Sequence, residues 1–103
     1  MHVTNMNSPR TGKPVANQFI ITDGDTTVFQ SYASTIATID RKHGTITLGE
    51  DWDYSVTTGK YRNLFFEGED LTDLASKAGI LAALESDGYV TDDYCNEFIV
   101  TLA

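Results

Sequence analysis

Two runs of mainly hydrophobic residues, separated by a short polar segment, predict a β-hairpin over residues 15–32. The runs VANQFIIT and TTVFQSY are rich in β-branched and aromatic side chains, which favour strands. Between them lies DGD at 23–25, and both Asp and Gly tolerate the positive φ angles of a tight turn.

The next segment repeats this pattern and predicts a second hairpin. STIATIDR at 34–41 and TITL at 45–48 flank the turn sequence KHG. The spacing of Ile36 and Ile39 also fits a helix, but the β-branched residues around them are stiff in the way that strands favour. Up to four antiparallel strands are therefore expected before residue 49.

A helical period replaces the strand pattern in the second half of the chain. Ser55 has the side chain of a helix N-cap, whose hydroxyl accepts a hydrogen bond from an amide of the first turn. Tyr61, Leu64 and Phe65 then follow the spacing of one helix face. Gly68 is expected to end this helix in a left-handed conformation.

A second helix is predicted from Thr72 to Asp87, with Gly88 as its C-terminal cap. Gly79 lies inside it at a cost of about 1 kcal/mol relative to alanine, so a break there is an alternative. The buried stripe of this helix is expected to contain Leu71, Leu74, Ala75, Ala78, Leu81 and Ala82.

The two ends of the chain differ in character. Residues 1–14 are polar, contain both prolines and show no hydrophobic period, which predicts a flexible arm. Residues 96–103, NEFIVTLA, alternate again and predict a last strand. The sequence therefore predicts a single α+β domain over 15–103, with an antiparallel sheet of four to five strands and two helices packed on one face.

Charge is concentrated in the second half of the chain. The 103 residues carry a net charge of −8, and residues 50–103 hold twelve of the fifteen acidic residues against three basic ones. Such a surface repels phosphate and attracts basic protein surfaces, so direct binding to nucleic acid is not expected. A contribution to solubility alone is the alternative explanation.

The sequence favours a cytoplasmic protein without membrane contact. No apolar run approaches the roughly 18 residues that cross a bilayer, and the first residues lack the apolar segment of a secretory signal. The single cysteine, Cys95, excludes an intrachain disulfide and fits a reducing compartment.

Three short motifs resemble a phosphate loop, a calcium loop and a reactive cysteine, but the residues around them do not fit these sites. TGKP at 11–14 lacks the earlier glycine and the following Ser or Thr of a phosphate loop. DGD at 23–25 lacks the later ligands of an EF-hand. Cys95 lies near Asp92 and Asp93, which oppose thiolate formation. No catalytic residue, metal site or cofactor is therefore predicted.

Acidic residues are interleaved with large aromatic residues after position 50, and this pattern predicts a surface that binds a protein partner. Tyr and Trp are enriched at binding hot spots, and flanking acids complement Arg or Lys on a partner. One alternative is that Trp52 and Tyr54 pack beneath the first helix while the acids point to water. Another is a divalent-metal site built from two carboxylate clusters. The predicted contact residues are Asp51, Trp52, Asp53, Tyr54, Glu67, Glu69, Asp70, Asp92 and Asp93.

Three segments resemble a family of small uncharacterised domains found chiefly in bacteriophage genomes. They are TGKPVANQFII, FQSYAS followed by IATID, and WDYSVTTGKYRNLF, and together they span residues 11–67. The resemblance supplies no catalytic residues. It implies an accessory protein of a phage or mobile element that acts in the cytoplasm of a host bacterium.

By analogy with small acidic phage proteins, this resemblance predicts a non-enzymatic inhibitor of a host defence nucleoprotein, of the anti-CRISPR type. Its partner would be the basic surface of a defence nuclease or CRISPR effector. The first alternative is a structural, self-assembling phage module that uses Phe65, Phe66 or the edge of the final strand to form a homo-oligomer. The second is a small metal-dependent hydrolase. The inhibitor hypothesis requires the acidic residues to gather on one surface.

Overall fold

One seven-stranded sheet connects all parts of the chain, and the computed structural model describes residues 1–103. The spatial order of the strands is β1-β2-β3-β4-β5-β7-β6. The helices are α1 (Val56–Gly68) and α2 (Lys77–Glu85), with a short 3₁₀ turn over Thr72–Leu74 between them. The strands are β1 (His2–Asn7), β2 (Pro14–Asp23), β3 (Thr26–Ser31), β4 (Ser34–Asp40), β5 (Thr45–Leu48), β6 (Tyr89–Thr91) and β7 (Glu97–Leu102).

Both hairpins predicted from the sequence are present. Strands β2 and β3 pair antiparallel across a two-residue loop that begins with Gly24, at φ 60°. A glycine at the first loop position is typical of the tight turns that match the twist of a hairpin. Strands β4 and β5 pair antiparallel across a loop that ends with Gly44, at φ 66°. The mixed α/β fold class and these turns are confirmed.

The sheet has more strands than the four to five that were predicted, and not all of its pairs are antiparallel. The sheet has seven strands, and β7 pairs in parallel with β5. β6 has only three residues, of which Val90 alone is buried, so it has no hydrophobic period to detect. The parallel pair joins strands that are separated by the whole helical segment, and local patterns contain no information about such a pairing.

The N-terminal segment also differs from the expected flexible arm over residues 1–14. Residues 2–7 form β1, which pairs antiparallel with β2. Of these six residues only Met6 is buried. This edge strand is therefore held by backbone hydrogen bonds rather than by buried side chains. Such pairing does not require a hydrophobic pattern, and HVTNMN has none.

One face of the sheet and both helices share a single hydrophobic core. The rings of Phe29 in β3 and Phe65 in α1 stack with their centroids 5.6 Å apart. Phe65 and Phe66 are fully buried, and β7 lies between β5 and β6. Phe65 and Phe66 are therefore not available for self-assembly, whereas β6 covers the edge of β7 only over Glu97–Ile99.

The buried face of α1 contains a charged residue that the sequence pattern did not reveal. Ser55 caps the helix as predicted, with its hydroxyl accepting a hydrogen bond from Thr58 N. The buried positions of the helix are Thr58, Tyr61, Arg62, Phe65 and Phe66. Leu64, which was predicted to be buried, is only partly covered.

The second predicted helix is interrupted, although not at Gly79. Residues 72–74 form a 3₁₀ turn, and α2 begins after Ser76, whose hydroxyl accepts a hydrogen bond from Gly79 N. The interruption changes which side of α2 meets the core. Ile80 and Ala83 are buried there, whereas Ala78, Leu81 and Ala82 are exposed.

Neither helix is long and apolar enough to span a bilayer.

Candidate functional site

Sheet topology brings acidic residues from both halves of the chain to one end of the molecule. The β2–β3, β4–β5 and β6–β7 turns all lie at this end, because β5 and β7 begin where β2, β4 and β6 finish. The end of α1 reaches the same place, since Asp93 N donates to Asp70 O over 2.9 Å.

We call this region the acidic end. It carries nine of the fifteen acidic residues but only two of the seven Lys and Arg residues, Arg41 and Lys42. The remainder of the chain is nearly balanced, with six acidic and five basic residues. The nine residues are Asp23, Asp25, Asp40, Glu67, Glu69, Asp70, Asp92, Asp93 and Glu97.

Arg41 lies among these carboxylates and links two parts of the fold. Its Nη2 is 2.9 Å from Glu69 Oε1, and its Nη1 donates to the Thr27 hydroxyl over 2.9 Å. Two neighbouring residues pair separately, since the Asp40 carboxylate binds His43 through the backbone amide and through Nδ1 at 2.8 Å. That hydrogen bond lowers the pKa of Asp40.

Asp92 has a structural role in the β6–β7 turn. Its Oδ1 accepts hydrogen bonds from the backbone amides of Tyr94 and Asn96, each over 2.9 Å, and its Oδ2 accepts one from the Asn96 side chain. The Asn96 side chain makes the largest contribution to lowering the pKa of Asp92. Replacing Asp92 would therefore disturb the turn as well as remove a charge.

Asp70 also has a structural role, because it ends α1. Its φ is 63°, and it occupies the left-handed position that the sequence assigned to Gly68. Asp70 N donates to Glu67 O, and Leu71 N donates to Phe66 O over 2.9 Å. This is the Schellman arrangement, and the buried side chains of Leu71 and Phe66 provide its usual hydrophobic contact.

Replacing Asp70 with glycine is therefore expected to leave the protein as stable or to stabilise it by up to about 1 kcal/mol, because glycine adopts positive φ without strain. Urea unfolding of Asp70→Gly would measure the change. Asp70→Asn supplies a control that removes the same charge but keeps a side chain at the positive φ. A destabilised Asp70→Gly variant would show that the Asp70 side chain itself holds the turn.

The other four predicted contact residues lie at the opposite end of α1. The helix has 13 residues, so about 18 Å of axial rise separates the two groups. Asp53 is not a free carboxylate there, since its Oδ2 is 2.7 Å from Lys77 Nζ. Trp52 is partly buried against the core. The nine predicted residues therefore form two groups rather than one patch.

Arg62 organises the structure around Trp52. Its side chain is 2% exposed, its Nη1 donates to Trp52 O over 2.8 Å, and its guanidinium carbon lies 5.3 Å from the centroid of the Trp52 ring. Asp53 Oδ1 is 3.7 Å from Nη1. Burial lowers the pKa of Arg62, and the Asp53 charge opposes that shift. Trp52 therefore has the structural role that was the alternative to partner binding.

Asp51 and Tyr54 line a polar pocket between the β3–β4 turn and the start of α1. Tyr54 is 77% exposed, and Asp51 accepts a hydrogen bond from the Ser34 hydroxyl over 2.9 Å. The sequence did not indicate this pocket, because Ser31–Ser34 are distant from Asp51 along the chain. The structure contains no group of three or more His, Cys, Asp or Glu side chains placed to hold a metal ion.

Comparison with known proteins gives one match. The model of a family of unknown function, DUF8033, matches residues 1–81. The chain belongs to this family. No curated protein and no solved structure matches the chain.

The DUF8033 match includes the polar pocket and six of the nine carboxylates of the acidic end. It stops within α2, so the β6–β7 turn, with Asp92, Asp93 and Glu97, lies outside the matched residues. The family description assigns no activity, so the function has to be argued from the geometry of the chain itself.

Proposed function

We propose that this protein is a non-enzymatic binding protein whose acidic end docks on a basic surface of a nucleic-acid-handling protein. The observation that supports the proposal is the gathering of nine carboxylates at one end of the sheet, where the basic groups are Arg41, Lys42, His43 and the N-terminal ammonium. A groove that holds a nucleic-acid backbone carries closely spaced Lys and Arg residues, and a dense array of carboxylates complements it.

Several of these carboxylates are available to a partner. Asp25, Glu67 and Asp93 are exposed, they come from three separate turns or helix ends, and none forms an ion pair within the chain. Asp93 accepts one hydrogen bond, from the Thr72 hydroxyl over 3.0 Å, and its other oxygen is free. Asp92 and Asp70 instead maintain the turns that carry their neighbours. The surface therefore combines a fixed backbone with free charges, which limits the entropy lost on docking.

The biological setting that we propose follows from the resemblance to bacteriophage domains. In that setting the partner is a host defence nucleoprotein in the bacterial cytoplasm, and the protein acts as an inhibitor of the anti-CRISPR type. The chain would occupy the channel that otherwise receives target DNA, and it would compete with DNA rather than modify it.

Inhibition of DNA binding by a panel of purified CRISPR effectors and restriction nucleases would test this function. The wild-type chain is expected to reduce DNA binding by at least one of them, and added salt is expected to reverse the effect, because ions screen exposed charges. The proposal fails if no nuclease in the panel loses DNA binding, or if inhibition does not depend on salt.

Two variants make the test specific to the acidic end. The acidic-end variant carries Asp25→Lys, Glu67→Lys and Asp93→Lys. The matched control carries the same number of reversals at exposed acids elsewhere, namely Glu50→Lys, Glu85→Lys and Asp87→Lys. The acidic-end variant is expected to inhibit at least about tenfold more weakly than the control, since both have the same net charge.

A further inference from the structure

We infer that the pocket between the β3–β4 turn and the first turn of α1 binds a neutral polyhydroxylated ligand, about the size of one or two sugar units. This site is separate from the acidic end and is independent of the function proposed above. Its volume is about 570 Å³, which is within the range of small-ligand sites. The lining includes Ser31, Tyr32, Ser34, Asp51, Tyr54 and Thr58.

The floor of the pocket is a chain of linked hydroxyl groups. Ser31 and Thr58 are each only 3% exposed, and their side-chain oxygens are 3.2 Å apart. The Ser55 hydroxyl lies 3.2 Å from Thr58 Oγ1. These hydroxyls bond one another, so the groups left for a ligand are the exposed Thr57 hydroxyl and the second oxygen of Asp51. Together they can donate to and accept from a ligand whose own groups do both, as sugar hydroxyls do.

The rim of the pocket has two exposed tyrosines, and one of them has a strained backbone. Tyr54 is 77% exposed and Tyr32 is 61% exposed. Tyr32 has a φ of 55°, held by a 2.7 Å hydrogen bond from its amide to Asn17 O and by a 2.8 Å bond from the Gln30 side chain to its carbonyl. Such a conformation costs about 1–2 kcal/mol for an L-residue.

The two-residue β3–β4 turn sets the positive φ of Tyr32, and glycine is the usual residue at this position. An exposed tyrosine gains little from burial, so the native contacts of its side chain do not offset the backbone cost. Strained backbone is concentrated at binding sites, where it holds a side chain in position. A tyrosine ring at the rim provides an amphipathic face on which the C–H groups of a sugar ring can pack.

The charges around the pocket favour a neutral ligand. Asp51 is the only charged residue in the lining, and one of its oxygens is occupied by the Ser34 hydroxyl. This carboxylate disfavours an anion. The first turn of α1, which also lines the pocket, presents the positive end of the helix dipole and disfavours a cation. The two effects oppose each other, and Ala33 and Ile36 add apolar surface on which the C–H groups of a sugar ring can pack.

NMR titration of the ¹⁵N-labelled chain would test this inference. The probes are glucose, N-acetylglucosamine and maltose at millimolar concentration, with choline and inorganic phosphate as the charged comparison. At least one saccharide is expected to shift the amide signals of residues 31–34 and 51–58, and the charged probes are not. The inference is overturned if no saccharide shifts these signals, or if choline or phosphate shifts them more strongly.

Two tyrosine variants separate binding from folding. Tyr32→Gly is expected to raise the Tm by relieving strain while weakening saccharide binding at least about tenfold. Tyr54→Ala is expected to weaken binding without a large change in Tm. Tyr94→Ala, which removes a similarly exposed tyrosine at the acidic end, should leave binding unchanged. Wild-type affinity in both pocket variants would contradict the inference.

Discussion

Replacing Arg62 with alanine is expected to lower the free energy of unfolding by about 3 kcal/mol. The guanidinium is 2% exposed and provides the hydrogen bond to Trp52 O, a contact with the Trp52 ring and a second cation near Asp53. Alanine would leave a cavity beside the core and a carbonyl without its partner. Asp53 would keep Lys77, at 2.7 Å, which limits the loss.

Urea unfolding followed by Trp52 fluorescence would measure this effect, since Trp52 is the only tryptophan. Lys60→Ala is the matched control, because Lys60 is an exposed cation on the same helix. The control is expected to change stability by less than about 0.5 kcal/mol. Equal unfolding midpoints for Arg62→Ala and wild type would show that the buried guanidinium does not stabilise the fold.

A single methyl group at position 79 is expected to destabilise the protein by about 2–3 kcal/mol. A Cβ atom on Gly79 would lie 2.0 Å from the backbone oxygen of Asp73, and 3.2 Å from Ser76 Oγ. Both α2 and the 3₁₀ turn would have to move apart. Helix propensity alone predicts the opposite, because alanine is favoured over glycine by about 1 kcal/mol in a helix.

Gly68→Ala provides the control for this substitution. Gly68 is also helical, its φ is not positive, and a Cβ atom there would meet no other atom within 4 Å. This variant is expected to be neutral or slightly stabilised in thermal unfolding, whereas Gly79→Ala should lose several degrees of Tm. If Gly79→Ala unfolds at the wild-type temperature, α2 and the 3₁₀ turn are not held in close contact.

Local turn chemistry and capping could be predicted from the sequence, because they depend on neighbouring residues. The glycines of DGD and KHG lie in the hairpin turns, and Ser55 caps α1. Gly88 also follows α2 with a φ of 79°. These features need only a residue type at a fixed position, so a single sequence is sufficient to place them.

Features that depend on distant contacts could not be predicted. β1 forms only because it pairs with β2, and its own residues show no strand pattern. The parallel pairing of β7 with β5 joins segments about 50 residues apart. Gly79 was predicted to lie inside the helix, with a break as the alternative, but the sequence did not show that it permits a close approach to Asp73. The burial of Arg62 could have been inferred from its position, because it lies on the same helical stripe as residues 58, 61, 65 and 66. Its charge, however, is typical of an exposed residue.

The candidate site was only partly predictable for the same reason. The sequence located the carboxylates but assumed that those after residue 50 share one surface. Instead α1 separates them, and Asp23, Asp25 and Asp40 from the first half join the acidic end. The polar pocket was missed because Tyr32 and Tyr54 come from segments that are brought together only by folding.

Capture from a nuclease-treated bacterial lysate most directly tests the claim that the acidic end binds a basic partner. The wild-type chain and the matched control are expected to retain the same basic, nucleic-acid-handling protein and to release it as salt rises. The acidic-end variant, with Asp25→Lys, Glu67→Lys and Asp93→Lys, is expected to retain little of it. Equal retention by all three proteins, or retention by none, would contradict the claim.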